Sequence, residues 1–71
     1  MARQRSREEK LMGAAVLKQS FARRGELQSE MFRSVYPGVL ADLELSDEEV
    51  DAFTRANADE VAARVSAAVR H

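Results

Sequence analysis

Cysteine is missing altogether, and the one histidine is the C-terminal His71. The first absence excludes disulfides, and the two together leave no ligand set for structural zinc, which takes Cys or His. No metal is therefore expected. Tryptophan is absent too, and one proline and three glycines give 71 residues few places to turn. The longest unbroken apolar run, Ala14 to Leu17, is far short of the roughly 20 residues that span a bilayer. No apolar segment of signal-peptide length follows the basic N-terminus. The expectation is a soluble, intracellular, cytoplasmic protein with no membrane partner.

The catalytic inventory is equally thin. Nucleophilic mechanisms want Ser, Cys or Thr beside a base, commonly histidine. His71 sits at the chain end, where fraying is the rule. There is no Gly-rich phosphate loop, and a 71-residue helical chain has little room for a carboxylate-lined cleft. The expectation is a non-enzymatic protein without a cofactor. The acids from Asp42 to Asp51 do not make a calcium loop either. Counting from Asp42, the sixth position is Asp47 where glycine is needed, and the twelfth is Phe53 where glutamate is needed.

Charge is what the chain does have, unevenly. Residues 1–38 carry eight cations against four anions, and residues 39–71 carry three against eight, a balance of +4 and −5. Such asymmetry favours self-attraction or a charged partner. The core of so short a chain is thin, because only about 60% of the unfolded surface is buried at this size. With disulfides and zinc excluded, a second copy of the chain is the leading way to complete it.

Ala, Glu, Arg and Leu dominate, and no sustained alternation marks a strand. The chain reads as all-α, a small compact bundle of three to four helices: residues 1–5 form a flexible basic arm and residues 6–71 a single helical domain. Ser6-Arg7-Glu8-Glu9 opens the first helix as a capping box. Its apolar residues, from Leu11 to Phe21, cover more than the single stripe a surface helix needs, which hints at several partners. Arg23-Arg24-Gly25 has the form of a helix end, yet Glu26 to Val35 is helical in pattern too, so Gly25 either bends a helix or ends one. Pro37-Gly38 is expected to stop the second segment, with a short helix through Val39, Leu40 and Leu43 beyond it. Ser46-Asp47-Glu48-Glu49 is a second capping box, with Leu45 and Val50 placed as a hydrophobic staple. Val50, Phe53, Asn57, Val61, Val65 and Ala68 then share one face of a single last helix. The expected core is Leu17, Phe21, Leu27, Met31, Val35, Leu40, Leu43, Val50, Phe53, Val61 and Val65.

Two sets of residues are candidates for binding. Arg3, Arg5 and Arg7 alternate in the arm, as basic arms do that contact phosphates, and Arg23 and Arg24 would extend that surface. The ordinary readings are a solubilising tail and cations at a helix C-terminus. Phe32 and Tyr36 form an aromatic corner, which is usually core but anchors a partner if exposed. Asn57, alone on an apolar face, would fix register in packed helices if buried; otherwise the face rotates so that Ala58 and Ala62 point inward. The function expected is a small interaction or regulatory module that forms a homodimer and docks on a protein partner through helix faces. The alternative is a small DNA- or RNA-binding regulator of the phage, plasmid or transcriptional type, whose signature is affinity that falls steeply with salt.

Overall fold

Four helices make up the described residues, 6–69 of the computed structural model, and no strand occurs among them. They are α1 (Arg7–Arg23), α2 (Glu30–Leu43), α3 (Asp47–Ala56) and α4 (Ala58–Val69). The arm expected over residues 1–5 lies outside the described residues.

The broad apolar arc of α1 has a direct explanation. This helix is central, packed by α2, α3 and α4 of its own chain. Ala14 and Ala15 are fully buried, and such small side chains let neighbouring helices approach closely. One cluster joins these alanines to Leu45, Val50, Val61 and Val65. Burying each of the three large valines there contributes roughly 1.5–3 kcal/mol. A second cluster joins Phe21 to Phe32 and Tyr36, with ring centroids 5.1 Å apart for the first pair and a 4.7 Å stack for the second. Leu40 packs against both clusters and connects them.

Local capping sets most boundaries. The Ser6 oxygen accepts the Glu9 amide at 3.2 Å, although Glu9 does not return to the Ser6 amide. The Ser46–Glu49 box is complete in both directions, and Leu45 and Val50 share a cluster as a staple would. Gly25 ends α1 rather than bending it. The glycine has φ 68°, and the amides of Gly25 and Glu26 return to the carbonyls of Ala22 and Phe21, the two bonds of a Schellman turn.

Three expectations need correction. Residues 26–29 form a turn, and α2 starts only after the Ser29 cap. Pro37-Gly38 does not stop the helix, which runs on to Leu43. Proline removes the bond to the Arg33 carbonyl, but Pro37 is exposed, so water reaches that carbonyl while Phe32 and Tyr36 hold the opposite side to α1. The last helix is two helices. Asn57 leaves helical geometry, at φ −128° and ψ 37°, and its side-chain Nδ2 donates to the Phe53 carbonyl at 3.0 Å. That carbonyl also accepts the Asn57 backbone amide at 2.9 Å. Short polar side chains compete with helical hydrogen bonds in this way.

The core differs on α2. Phe32 and Tyr36 point inward, while Leu27, Met31 and Val35, assigned to the core by spacing, are exposed at 36%, 66% and 43%. Both faces of this segment are apolar, and the pair of rings buries the larger area.

The C-terminal end of α2 generates a test. Glu44 is left-handed, φ 58°, a conformation that costs a non-glycine residue roughly 1–2 kcal/mol. Glu44→Gly is expected to raise the urea midpoint, through a stability gain of about 0.5–1 kcal/mol net of the added freedom of the unfolded chain. A lower midpoint would contradict the strain.

Candidate functional site

The Lys18 side chain, on the α3 side of α1, is the most connected polar group of the bundle. Its Nζ lies 2.8 Å from Asp47 Oδ1 and 2.8 Å from Asp51 Oδ1. These acids are one turn apart on α3, so both reach the same cation. The Tyr36 hydroxyl donates to Asp47 Oδ1 at 2.6 Å, and the Lys18 Nζ stands 5.7 Å from the Tyr36 ring centroid. One cation thereby ties α1, α2 and α3. Burial pulls the Lys18 pKa down, but the hydrogen bonds and charges of Asp47 and Asp51 outweigh it and leave it raised. The Tyr36 hydroxyl is raised strongly, by burial first and then by its bond to Asp47. The Asp47 carboxyl is lowered by the bonds it accepts from Lys18 and Tyr36. This node holds three helices together.

The candidate basic surface is distributed. Arg3 and Arg5 lie outside the described residues. Arg7 pairs with Glu49 across the α1–α3 boundary. The Arg23 guanidinium donates to Ser66 Oγ at 3.1 Å. Arg24 holds Glu26 at 2.7 Å and lies 4.8 Å from the Phe21 ring centroid. These three arginines thus each engage a partner in their own chain and do not converge on one patch. Asp51 is taken by Lys18 rather than by Arg55 one turn along its own helix, whereas the i,i+4 pair Glu60 and Arg64 does form, at 3.5 Å.

Phe32 and Tyr36, the candidate interface aromatics, are only 8% and 6% exposed. Their faces are covered within the chain, so they are core and offer no anchor. Asn57 is half-buried at the α3–α4 junction; Ala58 and Ala62 are exposed and do not turn inward. Among the described residues no cluster of three or more His, Cys, Asp or Glu suited to a metal occurs, and no helix is long and apolar enough to cross a membrane.

Two surfaces left open among the described residues bear on binding. One is the outer ridge of α2, where Met31 and Val35 stand one turn apart and Leu27 precedes them in the turn. The other is an open groove of about 930 Å³ between the first half of α1 and the α3–α4 junction, floored by Met12, Gly13 and Val16 and walled by Phe53. Neither was singled out from the sequence. The groove had one overlooked signal, Gly13 in the middle of a helical stretch. No family model matches the chain, and neither a curated protein nor a solved structure does.

The node predicts a pH profile. Asp47, lowered from 3.8, contributes stability that is present above that value and lost as pH falls through its folded pKa. Tyr36 and Lys18, raised from 10.0 and 10.5, contribute stability present below those values and lost as pH rises through the folded ones. Tyr36→Phe keeps the ring stack and removes the bond to Asp47. Urea melts should show it about 1 kcal/mol less stable at neutral pH, with a shallower decline at alkaline pH. An unchanged alkaline limb would contradict the assignment.

Proposed function

We propose that the protein is a small non-enzymatic interaction module that self-associates as a dimer and docks on a protein partner through helix faces. The outer ridge of α2 carries this reading. A single exposed hydrophobic residue is ordinary, but a contiguous apolar surface on a small chain marks an interaction site. Met31 and Val35 at i,i+4 spacing form one ridge, and the half-buried Val39 extends the row by another turn. α2 packs chiefly on α1, so among the described residues no helix covers its far side. A second copy supplies the missing cover, which a core of this size needs. The engagement of Arg7, Arg23 and Arg24 within the chain leaves the nucleic-acid alternative without a converged surface among the described residues.

The reading is tested by sedimentation velocity from low to high micromolar concentration. The wild-type chain should pass from its 7.9 kDa mass to twice that. Met31→Glu/Val35→Glu, which places charge on the ridge without touching the core, should stay monomeric with an unchanged helical circular dichroism spectrum. A wild type that remains monomeric throughout, or a variant that dimerises as before, would overturn it.

A further inference from the structure

The groove beside α1 poses a separate question, because one of its residues is a liability to the fold. Gly13 lies inside α1, where glycine is less stable than alanine by roughly 0.5–1 kcal/mol. Nothing inside the chain requires it: a Cβ built there meets no atom within 4 Å. The missing side chain serves no internal packing. What it does is leave backbone bare on the floor of an open groove, flanked by the half-buried Met12 and Val16. Bare helical backbone admits another helix at close range.

Charge says which helix. Among the described residues lining the groove, Glu8, Glu9 and Glu60 stand against one cation, Arg64. Arg64 and Glu60 pair with each other, which leaves Glu8 and Glu9 as the acids that set the charge of the groove. Nucleic acid and anionic surfaces are thereby disfavoured. The α2 ridge of a second copy fits poorly too, since its helix starts at Glu30 and ends beside Asp42 and Glu44, acid against acid.

We propose that this groove binds a cationic amphipathic helix of a partner protein. The helix lays its apolar side on Met12, Val16 and Phe53, approaches closest at Gly13, and directs Lys or Arg side chains to Glu8 and Glu9. This is the helix-in-groove mode, read through i, i+3/i+4 and i+7 anchors. Asn57, whose Nδ2 donates to the Phe53 carbonyl, also lines the groove. The proposal rests on the reading of the chain as an interaction module and names the class of its partner.

The test is fluorescence anisotropy of a labelled synthetic helix of leucine and lysine, with leucines along one face, titrated with the full chain. A leucine–glutamate twin of the same pattern is the control. The wild type should bind the lysine peptide saturably, more weakly as salt rises, and ignore the twin. Gly13→Phe, which fills the floor and is tolerated by the open space, should weaken binding by about tenfold or more, equivalent to at least 1.4 kcal/mol. Glu8→Lys/Glu9→Lys should weaken it as well, with circular dichroism confirming that both variants are folded. Absence of saturable binding, equal binding of the twin, or unchanged binding by folded Gly13→Phe would each overturn the proposal. Failure here with an intact α2-dependent dimer rejects the groove and keeps the module; loss of the dimer alone rejects the reading beneath it.

Discussion

Everything in this bundle depends on α1 being surrounded. A helix apolar over most of its circumference is unstable in water unless other elements cover it, and three helices of the same chain do so. Ala14 and Ala15 keep the covering helices near, Phe21 and Leu17 receive α2, and the alanines with Leu11 receive α3 and α4. Because α2, α3 and α4 meet chiefly through α1, each gains its burial there. The breadth of the α1 pattern, which suggests several partners in the sequence, is answered inside one chain.

Lys18 is the condition on that arrangement. A cation with a side chain only 17% exposed needs compensation, since burying an unpaired charge is strongly unfavourable. Asp47 and Asp51 provide it at 2.8 Å each, and the Tyr36 hydroxyl donates to the same Asp47 oxygen that accepts from Lys18. The opposite charges of the two halves of the chain thus meet in part within the molecule: Lys18 with Asp47 and Asp51, Arg7 with Glu49. Much of the asymmetry that invites a charged partner is consumed by folding. The acids around the groove belong to a different region, on α1 and α4, and remain turned to solvent.

Which features are legible in the sequence follows from their range. Caps are local, so Ser6, the Ser46–Glu49 box and the Leu45–Val50 staple are readable from neighbours three to five residues apart. Gly25 is readable as a candidate end, and its positive φ decides it. Long-range choices are not readable in this way. Leu27, Met31 and Val35 compete with Phe32 and Tyr36 for the inner side of α2, and the winner depends on Phe21 and Asp47, which lie on other helices. Pro37 is tolerated because its side of α2 is wet, a fact only packing reveals. Asn57 breaks a helix whose apolar spacing runs straight through it. The groove brings Gly13 beside Phe53, forty residues apart in sequence, and no local pattern anticipates that.

The central claim is that α1 is the last element to open. Native-state hydrogen exchange measures this directly, amide by amide. The amides of Ala14 to Phe21 should exchange only through global unfolding, with the free energy found in denaturant melts, while the first turn of α2 and the Asn57 junction open at lower energy. Fast exchange of the α1 amides while α3 and α4 stay protected would contradict the account, because the covering helices would then be stable without the helix they cover.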